Sequence, residues 1–359
     1  MSLAKAEYFL GCLSPDGFTT HFDKEIADEN NFTYILKGGA GTGKSSLMKK
    51  IAEAFKDKES LEIYHCSSDP NSLDAVIIRD LGIIIVDGTA PHVFDPIFAG
   101  VKQKILNLGD FWNDKMLCDN TDKIISLTKE CRRWHKRCKS FVSALSSLNS
   151  DTYSISQESL DFDKLEAFIS RLTKKIFPKR KTGEGKTTYS QLSAMTPDGY
   201  MTLLDTVKDY KNIYLLSDSF YSGSDTFLRE LATVAVSRGF DVIISECTLF
   251  NSKTFEHMLI PEISTAFINS GPINGITLPD SDIINFRRFY DKGFLFHKKQ
   301  RLLFNKKAAQ ELLEEAAAAL KNAKKVHDDI EECYIHAMNF DSINSLTNNL
   351  ISEISSKSK

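Results

Sequence analysis

The chain has 359 residues, of which 42% are hydrophobic and 26% charged, with a net charge of -3. This length suits two domains at roughly 100–200 residues each, and the composition is that of a globular protein able to bury a core. The near-neutral charge argues against nucleic acid as a partner, and no apolar run approaches the roughly 20 residues needed to span a membrane.

The N-terminal stretch has one lysine and a short apolar run broken by Pro15-Asp16-Gly17, a poor match to a secretory signal. The seven cysteines are odd in number and form no CxxC pair, which predicts a reduced, cytoplasmic protein. Ser14-Pro15-Asp16-Gly17 is a type I turn sequence, so the segments flanking it read as a hairpin. Residues 32–38 and 61–66 are short apolar runs and read as strands. Between them, Leu47, Met48, Ile51, Ala52 and Phe55 share one face of a helix over 44–55. Residues 81–88 are apolar throughout, as in a strand covered on both faces. From residue 100 to about 175 the chain turns helical and polar. Residues 306–340, rich in Ala, Glu, Lys and Leu, repeat that character near the C-terminus.

The chain repeats itself. "YILKGGAGTGKSSLMKKI" (34–51) aligns without a gap on "YLLSDSFYSGSDTFLREL" (214–231). "SPDGF" (14–18) answers "TPDGY" (196–200), "HCSSDPNS" (65–72) answers "ECTLFNS" (246–252), and "FDKL" (162–165) answers "FDSI" (340–343), all at offsets of 178 to 182. A duplication predicts domains at 1–180 and 191–359 with a linker at 181–190. The linker contains "GEGKT" (183–187), but the position five residues before Gly185 is Arg180 rather than glycine, so the phosphate-loop pattern is incomplete.

The complete pattern is in the first copy. Gly38-x-x-x-x-Gly43-Lys44-Ser45 follows a predicted strand and opens a predicted helix, the context that the Walker A motif requires. Gly38, Gly39, Ala40, Gly41, Thr42 and Gly43 let successive N–H groups curl around a phosphate, aided by the positive helix end. Lys44 is expected to reach the β- and γ-phosphates, Ser45 to ligate Mg²⁺, and Ser46 to touch the α-phosphate. Asp87 ends "IIIVD" as a Walker B aspartate does, giving a second Mg²⁺ contact. The cofactors expected are ATP and Mg²⁺.

Residues 34–87 resemble a P-loop NTPase core. With "HCSSDPNSLDAVII" and "VDGTAPH", the whole chain resembles a family of tandem P-loop ATPase-like proteins from Gram-positive, largely spore-forming bacteria. That resemblance implies ATP binding and a cytoplasmic location. The fold expected is α/β: two tandem P-loop NTPase-like units, each a mainly parallel sheet with helices and a helical extension.

The second loop has lost this chemistry. Asp218 replaces Gly38, Ser219, Phe220 and Tyr221 replace Gly39, Ala40 and Gly41, Ser224 replaces Lys44, Asp225 replaces Ser45, and Asn269 replaces Asp87. The apolar frame persists, so the second unit reads as a pseudo-NTPase domain that supports or regulates the first. Carboxylates at 218 and 225 are expected to repel a triphosphate.

Gly88 stands where many P-loop ATPases place a water-activating glutamate, which predicts slow hydrolysis. His65, Ser67, Ser68, Asp69, Thr89, His92 and Asp95 lie in loops after the strands, where α/β sites are built. Asp69 is either a general base or the cap of a helix beginning near Asn71. Three readings stay open: a slow Mg²⁺-dependent ATPase or switch, a small-molecule kinase, and a nucleotide-stabilised scaffold. The basic cluster "CRRWHKRCK" (131–139) is either a kinase-type lid or a solvated helix face. The helical extensions are candidates for self-association or for docking a protein partner. Arg229, Arg238, Arg287 and Arg288 are candidates for a charge supplied by the second unit to the first.

Overall fold

The computed structural model describes residues 6–57, 60–91, 93–177, 183–251 and 253–357. The first unit runs β1 (Ala6–Phe9), β2 (Gly11–Ser14), β3 (Gly17–Thr20), α1 (Asp23–Ala27), β4 (Phe32–Lys37), α2 (Lys44–Ala54), β5 (Leu61–His65), β6 (Leu73–Ile78), β7 (Ile83–Asp87) and β8 (Gln103–Asn107). Three helices follow: α3 (Asp114–Asp119), α4 (Thr121–Gln157) and α5 (Phe162–Ile176). The second unit runs β9 (Thr187–Tyr189), β10 (Ser193–Thr196), β11 (Gly199–Thr202), β12 (Asn212–Ser217), α6 (Ser222–Ser237), β13 (Val242–Cys247), β14 (Thr254–Ile260), β15 (Thr265–Ser270) and β16 (Asp282–Asn285). It ends in α7 (Lys292–His297), α8 (Lys299–Ile335) and α9 (Phe340–Ser356).

The duplication is visible in the topology. The first sheet has the order β1-β5-β6-β7-β4-β8 and the second β9-β13-β14-β15-β12-β16, the same order in matched strands. In each sheet one strand, β6 or β14, is antiparallel to both neighbours and the rest are parallel. The fold is therefore α/β, with two tandem units built on six-stranded, mostly parallel sheets.

β6 departs from the sequence reading. No helix begins near Asn71; Leu73–Ile78 is a strand buried at every position. Strand β8 also falls inside the stretch read as helical. The predicted linker is shorter than expected, because Thr187–Tyr189 pairs with β13 as an edge strand. The Gly185 N–H donates to Val236 O at 2.9 Å, and a Cβ there would stand 2.0 Å from Phe240 O, so "GEGKT" packs as an edge and forms no phosphate loop.

Alternation along the strands sorts side chains to two faces. In β7, Ile83 and Ile85 face α2, while Ile84 and Val86 join Ile35, Ala75 and Ile77 against Leu215, Leu259, Ala266 and Ile268 of the second sheet. The two sheets thus share a core. Their units also meet at Phe9, whose N–H donates to Gln191 O at 2.8 Å.

The helical extensions are exchanged between the units. α4 and α8, 37 residues each, pack along one another. Ala316, Ala319 and Ala323 of α8 are buried along that pair. Beyond it, α5 crosses to the second unit, where Leu165 and Ile169 pack with Phe227 and Leu231 of α6. In the reciprocal direction α9 crosses to the first unit, where Ile343, Leu350 and Ile354 pack with Leu47, Met48 and Ile51 of α2. Matched backbone bonds fix both crossings: Asn113 N–H to Ala337 O at 2.8 Å and Asn339 N–H to Phe111 O at 2.9 Å in one, Asp291 N–H to Ser159 O and Asp161 N–H to Phe289 O, both at 2.8 Å, in the other. Leu350→Ala should therefore destabilise the first unit's core, by about 2–5 kcal/mol for a buried leucine, although Leu350 belongs to the second copy. Urea unfolding measures this. No described helix is long and apolar enough to cross a membrane.

Candidate functional site

The loop between β4 and α2 carries the motif. Gly38, Gly41 and Gly43 have φ of 154°, 69° and 88°, backbone that L side chains rarely adopt. The loop lies under the exchanged helices: a Cβ on Gly39 would stand 2.8 Å from the Tyr334 ring, and one on Gly41 would stand 2.6 Å from Glu331 O. Ala40 packs against Ala323, Val326 and Ile330. The loop is thus formed by the first unit and covered by the second.

Lys44 is buried and turned back on the loop. Its Nζ donates to Gly39 O at 2.7 Å and Gly38 O at 3.2 Å, and lies 3.7 Å from Asp87 Oδ2. Asp87 Oδ1 accepts from Thr89 N at 2.8 Å and Thr89 Oγ1 at 2.6 Å. Burial pushes the Asp87 carboxyl above the ordinary range, opposed by Lys44 and by the Thr89 hydrogen bonds. Ser45 Oγ accepts from Leu73 N at 3.0 Å. Thr42 is buried, with its hydroxyl bonded to Gly39 O, and Ser46 is exposed at the helix start. The glycine loop and the end of β7 thus meet at Lys44 and Asp87.

The matched loop in the second unit shows what this backbone demands. Tyr221, the counterpart of Gly41, keeps the same left-handed conformation at φ 67°, although a non-glycine residue there costs about 1–2 kcal/mol. Its buried ring lies over Gly271, and its hydroxyl accepts from Ile273 N at 3.2 Å. Asp218 occupies the nest: Oδ1 accepts from Phe220 N at 3.0 Å and Oδ2 from Ser224 N at 2.8 Å. Tyr290 donates its hydroxyl to the same carboxylate at 3.0 Å and accepts from Gly223 N at 2.7 Å. Burial pushes the Asp218 carboxyl up, opposed by these donors.

The counterparts of those three donors in the first loop are the N–H groups of Ala40, Lys44 and Gly43. None of them appears in a hydrogen bond among the described residues. One loop therefore supplies its own anion, and its copy holds the same donors open. The pair Lys44–Asp87 is matched by a neutral bond, Asn269 Nδ2 to Ser224 Oγ at 2.6 Å. Asp225, expected to face the nest, faces away: it accepts from Phe255 N at 2.7 Å, Tyr153 Oη at 2.7 Å and Arg229 Nε at 2.9 Å.

The other sequence candidates separate. Asp69 caps a turn rather than a helix, taking the Ser72 hydroxyl at 2.7 Å, and its other oxygen lies 3.8 Å from Lys324 Nζ of α8. His65 is held by Pro70 O and Glu7, so it serves the fold. Asp95 pairs with Lys37. Ser67 is buried and Cys66 half-buried, with the Cys66 thiol pushed well up by desolvation. His92 lies outside the described residues. "CRRWHKRCK" is one stretch of α4 within the helix pair, with Cys131 and Cys138 buried and Arg137 over the Trp134 and Phe141 rings. The arginines proposed to reach across are engaged in the second unit: Arg229 with Asp225, Arg238 with Thr173 O, and Arg288 over the Phe168 and Phe289 rings, beside exposed Arg287. A cation of the second copy that does reach the first unit's loops is Lys324, 3.8 Å from Asp69, which the sequence hides among many helical lysines.

A Cβ at Gly88 would stand 2.4 Å from Ile35 Cγ2, so the packing of β4 excludes a glutamate after Asp87. Comparison of the chain with protein-family models, curated proteins and solved structures found no match.

Proposed function

We propose that the first unit binds the phosphates of ATP with Mg²⁺ and works as a slow ATPase or nucleotide-dependent switch, held in place by its degenerate copy. The observation that carries this reading is the contrast between the loops: three N–H donors meet the Asp218 carboxylate and Tyr290 hydroxyl in one, while their counterparts stay open beside Lys44 in the other. A phosphate supplies the missing acceptors. The hydroxyl of Ser45 and the carboxylate of Asp87 are hard oxygen donors, few in number, and fit Mg²⁺, which keeps most of its waters. Bound Mg²⁺ would neutralise charge on the β- and γ-phosphates. Lys44 would leave the Gly38 and Gly39 carbonyls for phosphate oxygens, and Asp87 would stay oriented by Thr89.

Slow turnover follows from the residues around the loop. Gly88 offers no carboxylate, and Asp69 is already engaged by Ser72 and Lys324. The basic cluster of a kinase-type lid lies along the α4–α8 pair, which favours the switch over the kinase. The exchange of α5 and α9 lets nucleotide occupancy bear on both units, and a protein partner reading that state is part of the proposal. The free cysteines suit a reducing cytoplasm.

Titration with a fluorescent ATP analogue should give one site per chain. A stoichiometry of two contradicts the assignment of the second loop. Asp87→Asn should reduce Mg²⁺-dependent phosphate release more than nucleotide affinity, because Lys44 and the loop donors remain; unchanged release at saturating Mg²⁺ removes Asp87 from the site.

A further inference from the structure

Beside the phosphate loop lies an open groove of about 830 Å³, formed where the chain leaving β8 meets the joint between α8 and α9. Its walls include Phe111, Trp112, Met116, Met338 and Phe340. Met116 and Phe340 are 41% and 38% exposed, more than large apolar side chains need to be. Two contacts tie the groove to the loop. A Cβ on Gly43 would stand 3.5 Å from the Phe340 ring, and the Trp112 ring lies 5.9 Å from the ring of Tyr334, which itself covers Gly39.

The second unit shows how near position 112 is to the phosphate donors. Its counterpart is Tyr290, whose hydroxyl enters the degenerate loop to meet Gly223 N and Asp218. Trp112 has no such hydroxyl. Its indole N–H turns to Asp114 Oδ1 at 2.9 Å, and the ring stays at the edge of the groove. Replacing tyrosine by tryptophan thus leaves the loop unfilled and sets an aromatic wall beside it.

Resting on the phosphate assignment above, we infer that this groove receives the nucleobase of the bound nucleoside triphosphate. A flat aromatic ring with polar edges suits a groove in which Trp112 and Phe340 stand among the polar Asn113, Asn339 and Ser342, and stacking on an aromatic side chain is a general mode of holding a base. The base would lie between the chain leaving β8, which belongs to the first unit, and α9, which belongs to the second. One ligand would then touch both copies.

The test uses the full chain with two probes, Mg-ATP and Mg-tripolyphosphate, measured by calorimetry. Trp112→Ala should weaken ATP by about tenfold, on the scale of base–aromatic stacking, and leave tripolyphosphate unchanged. Trp112→Phe should recover most of the loss. Because Trp112 also packs on Gly109, Phe340→Ala provides a second, more exposed site, with the same expected split between the probes. Equal losses for both probes, or no loss for ATP in either variant, overturn the base subsite while leaving the phosphate site standing. If neither probe binds the wild-type chain, both readings fail together.

Discussion

Lys44→Ala should lower the affinity for Mg-ATP by about a hundredfold, the scale of losing a charge-assisted hydrogen bond to a poorly solvated phosphate. The same change should also cost stability without ligand. Lys44 is not the exposed loop lysine that its sequence position suggests: it is buried and lies 3.7 Å from Asp87, whose carboxyl is itself largely desolvated. Removing the cation strands that carboxylate and raises its proton affinity further, so the variant should lose stability as pH rises through the new Asp87 pKa. The second unit supplies the control. There the same two positions are Ser224 and Asn269, joined by a neutral hydrogen bond. The double variant Lys44→Ser, Asp87→Asn should regain stability at neutral pH relative to Lys44→Ala, yet bind no nucleotide. Equal destabilisation of single and double variants would show that the pair is not what holds Lys44 and Asp87 in place.

The second large effect concerns the two halves. Residues 1–177 alone should fail to fold cooperatively, because the face of α2 that receives Ile343, Leu350 and Ile354 would be bare. Residues 183–359 alone should fail likewise, having lost Leu165 and Ile169 from the face of α6. Mixed, the fragments should reassociate, since each carries the helix that covers the other and since α4 and α8 pack along their length. Circular dichroism and sedimentation of each fragment and of the mixture measure this. Independent, cooperative folding of 1–177 would contradict the exchange. The exchange gives the second copy a physical reason to keep its apolar frame: without α9 the first unit lacks part of its core, and without α8 its glycine loop lacks a cover.

The parts of this structure that are local in the sequence were legible. The strand, loop and helix at 32–54 follow from a short apolar run, glycines at positions of positive φ and a 3.6-residue apolar period. Two motifs pointed to Lys44 and Asp87 separately, one for phosphate and one for Mg²⁺; that the two side chains lie 3.7 Å apart is seen only in the structure. Strand β6 was missed because "LDAVII" is short and apolar at nearly every position, and periodicity cannot tell such a run from the start of a buried helix. The exchange of α5 and α9 was not legible either. Both helices show an apolar face, but an amphipathic pattern says that a face is covered and not which copy covers it. Asp218 was read as a charge that repels phosphate, yet it takes the donors that a phosphate would take. The sequence signal was present in the replacement of the first glycine by a short acid; the partner that completes it, Tyr290, lies far along the chain and is found only in three dimensions.

The central claim is that two loops of one backbone shape differ in whether their N–H donors are already satisfied. Amide hydrogen exchange, followed by mass spectrometry with and without saturating Mg-ATP, reads those donors directly. The expected result is slowed exchange across Gly39–Ser46 on adding nucleotide, with peptides covering Ser219–Asp225 slow in both conditions, since Asp218 and Tyr290 already hold them. Nucleotide-induced protection of the second loop, or no protection of the first, would contradict the account.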